Sequence, residues 1–166
     1  MTKDSKTLEL QPFTILSDHG IAVLHHNGQT GQFSLHASVN KIKGAVFAKF
    51  KAGSHQITPT RFTVQISEND HIELHPTFLQ FINHSCNPNL FFNLNSMQVD
   101  CLQNINPGDE LTYFYPSTEW WLQESFICHC GSKNCIGEIK GAAFLSWDLF
   151  KRYKFTPFIL EKLKSM

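Results

Sequence analysis

Apolar residues in the first two-thirds of the chain fall into short runs of four to six positions, too short for helices and spaced by turn formers. Six such runs, 13–16, 20–25, 45–50, 62–66, 90–94 and 97–102, are expected as strands. Between them stand Asn27-Gly28, Ser67-Glu68-Asn69-Asp70 and Pro107-Gly108-Asp109, residue types that tolerate left-handed backbone or bond their own amides. A short helix is expected over 75–82, with Pro76 near its first turn, where a missing amide proton is harmless. The pattern changes near the end. Residues 141–166 read as helical segments, with Ser146 as a cap and Pro157 separating them. Leu149, Phe150, Tyr153, Phe158, Ile159 and Leu163 are expected to pack this tail on the rest. No internal repeat, low-complexity tract or linker interrupts the chain, so one domain is expected.

Composition narrows the class of protein. A chain of 166 residues that is 42% hydrophobic and 17% charged can bury a core of its own. Fourteen Lys and Arg balance fourteen Asp and Glu, giving a formal net charge of zero. Such a chain has no strong field for phosphate backbones or acidic lipid, so neither nucleic acid nor membrane is an expected partner. No window approaches the ~18 uninterrupted apolar residues of a membrane span. Residues 1–7 are polar and carry no secretory apolar stretch. The expectation is an intracellular, cytoplasmic chain, small enough for passive nuclear entry. The tail carries Lys151, Arg152, Lys154, Lys162 and Lys164 against Asp148 and Glu161, which reads as a solvated face.

Five cysteines stand at 86, 101, 128, 130 and 135. Three of them form Cys128-His129-Cys130-Gly131-Ser132-Lys133-Asn134-Cys135, a C-x-C-x4-C array around a turn. Zinc takes four soft ligands in a tetrahedron, and short spacing through a glycine-containing turn lets several thiolates converge on one ion. In a reducing compartment this favours metal over disulfides. The fourth ligand is open among His129, Cys86 and Cys101. His129, between two ligands, is awkwardly placed for the same ion, and Cys101 lies in an alternating run that reads as a half-buried strand.

Two further segments are dense in chemistry. One is Phe81-Ile82-Asn83-His84-Ser85-Cys86-Asn87-Pro88-Asn89. The other is Pro107-Gly108-Asp109-Glu110-Leu111-Thr112-Tyr113-Phe114-Tyr115, a turn feeding a strand whose tyrosines share one side. A His-x-Cys spacing raises a hydrolytic cysteine, Cys86 beside His84, but spacing alone does not aim the imidazole at sulfur.

Taken in order, these segments resemble the SET-domain protein lysine methyltransferases. Residues 81–89 match R-F-x-N-H-S-C-x-P-N apart from Gln80 at the arginine. Residues 108–115 match G-E-E-L-T-Y-D-Y, with Asp109 and Phe114 as departures, and 128–139 match the post-SET C-x-C-G-S-x-x-C-x-G-x-I. Asp18-His19-Gly20-Ile21-Ala22-Val23 looks like G-x-G-V-F-A with Asp18 at the first glycine.

The resemblance implies a mainly β SET-domain fold of small sheets, with a pseudoknot-like active site, a zinc-binding post-SET module and short C-terminal helices. It divides the chain into a SET domain over 13–117, a post-SET module over 118–140 and a packed helical tail over 141–166. It implies that Cys86 joins Cys128, Cys130 and Cys135 on one structural zinc. S-adenosyl-L-methionine would be held by Asn83, His84, Tyr115 and the Asp18-His19-Gly20 turn, with Phe126 against the adenine; Glu138 stands where some relatives carry an aromatic. Tyr115 would be the catalytic tyrosine, and Tyr113 would limit how many methyl groups enter. Tyrosine at 113 implies mainly monomethylation of a lysine on a protein partner, histone or otherwise. No carboxylate stands out as a base, and no tyrosine precedes Tyr113, leaving Phe62 among the residues available for an early-strand role. The competing expectation is a catalytically silent, zinc-stabilised module of the same fold that binds a protein.

Overall fold

The computed structural model of the protein describes residues 13–165; the polar residues 1–7 lie outside them. The chain starts with a three-stranded antiparallel sheet, β1 (Phe13–Asp18), β2 (Ala22–Asn27) and β3 (Phe33–Ala37), in that order. Asp18 closes the first hairpin by accepting the Gly20 amide at 2.8 Å, and Gly20 supplies the positive φ of 79° that the turn requires. Asn27 organises the second turn by accepting from the amides of Gln29 and Thr30.

β4 (Val46–Lys49) and β5 (Lys51–Gln56) are nearly continuous but belong to different sheets. β5 pairs with β7 (Asp70–His75), which also pairs with β6 (Thr63–Ser67) across the 67–70 turn. β4 enters a five-stranded sheet with β8 (Asn83–His84), β9 (Leu90–Asn93), β10 (Gln98–Cys101) and β11 (Thr112–Tyr113), in the order β4-β10-β9-β11-β8. β8 and β9 are consecutive in the chain, yet β11 lies between them, parallel to both. This late strand threaded between two earlier ones is the pseudoknot-like feature. β12 (Phe126–Ile127) and β13 (Glu138–Ile139) form a small hairpin around the cysteine array.

The expected strands are present with shifted ends: Gly20 and Ile21 belong to the first turn, and 97–102 contracts to 98–101. The helix expected over 75–82 is a single 3-10 turn, Thr77–Phe81, entered through Pro76. The tail forms α1 (Trp147–Arg152) and α2 (Pro157–Lys164). Ser146 occupies the cap position of α1 without a side-chain bond, and Pro157 opens α2 as its first residue instead of standing between helices. None of the described helices is long and apolar enough to cross a membrane.

The main core packs Leu24, Leu35, Ile72, Leu74, Phe92, Val99 and Leu111 from all three larger sheets. A second cluster seats the tail, with Phe155 and Ile159 packed around Phe114 and Ala142, and Phe150, Tyr153, Phe158 and Leu163 packed against them. Phe114, which replaces the resembling motif's aspartate, stacks on Tyr153 with ring centroids 3.7 Å apart and planes 10° from parallel. An apolar ring at 114 therefore serves the tail, on the side of the strand away from both neighbouring tyrosines.

Gly141 joins the cysteine hairpin to the tail at φ 122°, and a Cβ there would lie 2.5 Å from the Trp120 carbonyl oxygen. Gly141→Ala is expected to cost about 2–4 kcal/mol, read as a lower urea midpoint.

Candidate active site and cysteine cluster

Insertion of β11 builds the site. Asn89 ties it in from the side, donating to the Glu110 carbonyl at 2.8 Å and accepting the Thr112 amide at 2.9 Å. Register then sets Thr112 against Asn83 and Tyr113 against His84. The strand ends after Tyr113, and Tyr115 begins the 3-10 turn Tyr115–Ser117. The Tyr113 and Tyr115 rings lie 4.7 Å apart, so the expected same-side placement is observed.

His84 locks this end of the strand. Its Nδ1 accepts the Tyr115 amide at 3.2 Å, leaving Nε2 to carry the proton, 3.4 Å from the Cys86 sulfur. Burial pushes His84 down to about 4, so the imidazole stays neutral. The His-x-Cys spacing thus does bring ring and sulfur together. Cys86 is nevertheless buried, with its thiol pushed far up chiefly by that burial, which opposes a nucleophilic role.

A cleft of about 480 Å³ opens beside the two tyrosines. Phe33, Phe62, Phe81 and Phe126 supply apolar wall; Asn83 and Glu119 add polar groups, and Arg61, Gln80 and Glu124 also line it. Burial raises both tyrosine hydroxyls above their ordinary range, so they remain neutral donors. The Tyr115 hydroxyl donates to the Ile82 carbonyl at 3.3 Å. Asn83 spends its amide protons inside the fold, on the Phe33 carbonyl at 2.8 Å and Glu110 Oε1 at 2.9 Å. Phe126 meets both His84 and Tyr115 edge-on. Asp18, His19 and Gly20 are not among the lining residues. His19 stacks at 4.3 Å on Phe78, in the same 3-10 turn that carries Phe81 into the cleft.

Glu119 is the acid that reading the sequence overlooked. It follows the tyrosine turn and is 5% exposed. Its Oε1 accepts from the Gln65 amide at 2.9 Å and the Thr118 hydroxyl at 3.0 Å. Oε2 faces only His71 Nδ1, at 3.9 Å, beyond hydrogen-bond distance. Burial pushes its carboxyl up to about 7, against those two hydrogen bonds. Between the ordinary value of 4.5 and about 7 the folded chain holds a proton that the unfolded chain releases, so stability falls as pH rises through that window. Glu119→Gln is expected to remove a slope worth at most about 3 kcal/mol. Urea midpoints of both proteins at about pH 5 and about pH 8 check it.

The cysteine cluster closes the far side. Sγ atoms of Cys86, Cys128, Cys130 and Cys135 all lie within 4.8 Å of one another, Cys86 and Cys128 at 3.9 Å. The edge of a zinc–thiolate tetrahedron with bonds of about 2.3 Å is about 3.8 Å, so the donor set fits that ion. Cys101 sits in the sheet core, and exposed His129 is outside the group.

A family model described as SET domain matches residues 7–116. Methyltransferase flvH of Aspergillus flavus is 37% identical over 122 residues, covering 72% of this chain and 68% of that protein. Histone-lysine N-methyltransferase set9 of Schizosaccharomyces pombe is 36% identical over 58 residues, and human histone-lysine N-methyltransferase SETD1B 36% over 69. Those matches cover 34% and 37% of this chain but only 12% and 3% of the two proteins.

Proposed function

Since the chain belongs to the SET-domain family, we propose that it methylates the side-chain amine of a lysine on a protein, using S-adenosyl-L-methionine and stopping mainly at one methyl group. The observation that carries this reading is the aromatic cleft with buried Tyr113 and half-buried Tyr115 paired in its wall. Two of the relatives are histone-lysine methyltransferases by name, which favours lysine as the acceptor. A neutral chain offers a basic histone tail little long-range attraction, so protein lysines outside histones fit equally.

In this reading S-adenosylmethionine, when bound, supplies a methyl group on a positively charged sulfur. Asn83, His84 and the Asp18-His19-Gly20 turn would hold it and Phe126 would cover its adenine; of these, Asn83 and Phe126 line the cleft, and the turn lies beyond it. The aromatic walls admit the lysine stem and exclude water, which disfavours the charged amine. Attack needs a free lone pair, and a lysine amine with an ordinary pKa near 10.4 arrives protonated. Glu119, the buried acid on the cleft wall, draws in the ammonium and takes its proton; a base titrating near neutrality suits that step. The Tyr115 hydroxyl orients the amine, and alignment of this kind supplies roughly 7–11 kcal/mol. With the amine so placed, its lone pair would form the new N–C bond as the S–C bond breaks, leaving the positive charge on nitrogen. The proton on Glu119 returns to solvent through the cleft mouth.

Tyr113, 8% exposed, narrows the space for a methylated amine. Tyr113→Phe is expected to shift product from monomethyl toward di- and trimethyl lysine, read by mass spectrometry of a methylated substrate. Abundant trimethyl product from the unaltered protein contradicts the limit. Cys86, Cys128, Cys130 and Cys135 would hold a zinc ion that pins residues 118–140 against the domain as a wall of the site.

Calorimetric titration with S-adenosylmethionine tests the reading without a protein substrate. Saturable binding at about one molecule per chain is expected, with an affinity on the order of micromolar. A silent module that has lost the methyl-donor site shows no heat of binding.

A further inference from the structure

A second cavity, of about 400 Å³, lies away from the tyrosine cleft, where the N-H-S-C loop, the end of β10, the cysteine hairpin and the tail converge. Its volume suits a small organic molecule. Three cations line it, Lys43, Arg152 and Lys154, and no Asp or Glu does. The ion pairs among the described residues engage none of the three. Its apolar wall includes Leu90, Phe91, Leu102 and Tyr153. Lys154 Nζ stands 6.0 Å from the Phe91 ring centroid, so the cationic and aromatic walls meet. Tyr153 is fixed there by its hydroxyl bond to the Cys86 carbonyl at 2.8 Å.

One further lining residue is Ser117. It is 2% exposed, and its hydroxyl has no hydrogen-bond partner. Burying a hydroxyl unpaired is unfavourable, and such a group usually has a ligand or ordered water as partner. Three cations outside any ion pair among the described residues and an aromatic wall line one cavity. Arg152 lies against the Tyr153 side chain, Cys86 of the cysteine cluster stands at the cavity's edge, and the buried Ser117 hydroxyl is in its wall.

We infer that this cavity is a binding site for a small organic anion, a carboxylate or phosphate carried on a flat apolar body. The anionic group meets Lys43, Arg152 and Lys154, and the body lies against Phe91 and Tyr153. This site does not depend on the methyl-transfer reading, since it shares no lining residue with the tyrosine cleft. Its floor does include Phe114, between Tyr113 and Tyr115 in sequence, so an occupant sits directly behind the tyrosine strand.

Phenyl phosphate is the probe, with benzyl alcohol and benzylamine as neutral and cationic counterparts of similar body, titrated into the zinc-replete full chain. Phenyl phosphate is expected to bind with a Kd on the order of a millimolar and to weaken as salt rises. The counterparts bind at least about tenfold more weakly. Amide resonances of Leu102, Ser117 and Lys154 shift, while those of Phe62, Gln80 and Phe126 do not. The double variant Arg152→Gln/Lys154→Gln, in two exposed side chains, loses about tenfold or more in affinity. Ser117→Ala is expected to weaken phenyl phosphate while raising the unfolding temperature of the free protein, opposite signs that loss of a structural contact does not produce. Equal binding of the three probes, shifts confined to the tyrosine cleft, or no binding at about 10 mM phenyl phosphate overturns the assignment.

Discussion

Cys128→Ser is expected to reduce bound zinc from about one ion per chain to almost none, and to release the cysteine hairpin from the domain. Structural zinc in small modules contributes roughly 10–16 kcal/mol of binding free energy, far more than a two-residue strand pair can supply. The cysteine hairpin itself, residues 126–139, has little else to hold it. β12 and β13 are two residues each, and their buried cluster consists of Cys86, Cys128 and Ile139. The main core of Leu35, Ile72 and Phe92 is separate, so it is expected to persist. Hydrogen exchange should then show protection lost over 126–139 and kept in β7, β9 and β10. Burial raises the Cys86 and Cys128 thiols, while at Cys130 burial is outweighed by hydrogen bonds that bring the thiol down to about 6, so within the cluster it is Cys86 and Cys128 whose deprotonation a bound cation would have to drive. Cys101→Ser, in the sheet core, is the control and should keep its zinc. Equal metal loss from both variants contradicts the four-cysteine assignment.

The second large effect is on rate. Tyr115→Phe is expected to lower methyl transfer by about 10²–10³ while leaving the fold intact. The ring keeps its contacts with Tyr113, His84 and Phe126, and the hydroxyl makes a single long bond of 3.3 Å to the Ile82 carbonyl. Removing it should change the unfolding midpoint by no more than about 1 kcal/mol. S-adenosylmethionine binding is expected to stay within a few-fold. A variant equally impaired in methyl-donor binding and in rate would assign Tyr115 to donor binding instead. Unchanged rate would remove it from the reaction altogether.

Much of the fold and of the candidate site is legible in the sequence, for identifiable reasons. The motif residues lie in short, dense segments that stand out in the chain, and the resemblance those segments carry points to Asn83, His84, Tyr113 and Tyr115. The pairing of Cys86 with cysteines more than forty residues later came through resemblance; spacing left His129 and Cys101 open beside it. β3 and β7 alternate apolar and polar residues in Phe33-Ser34-Leu35-His36-Ala37 and Asp70-His71-Ile72-Glu73-Leu74-His75, a signal that was there to use. β5, Lys51-Ala52-Gly53-Ser54-His55-Gln56, gave none, because an edge strand with mostly exposed side chains needs no apolar face. β11 is the strand expected after the 107–109 turn, cut to two residues, whereas β8, also two residues long, exists only because β11 threads in beside it, a long-range event without local pattern. Glu119 was hidden for a related reason. A glutamate before two tryptophans reads as surface charge, and only folding brings it under Gln65 and Thr118.

Transfer of radiolabelled methyl from S-adenosylmethionine into protein lysine is the direct measure of the proposed activity. The zinc-replete chain is to be incubated with a panel of histones and with whole-cell lysate, and labelled bands mapped by mass spectrometry. The account predicts label on lysine side chains, mostly as monomethyl lysine, lost with Tyr115→Phe. Label absent from every protein while S-adenosylmethionine binds, or label on a residue other than lysine, would contradict it.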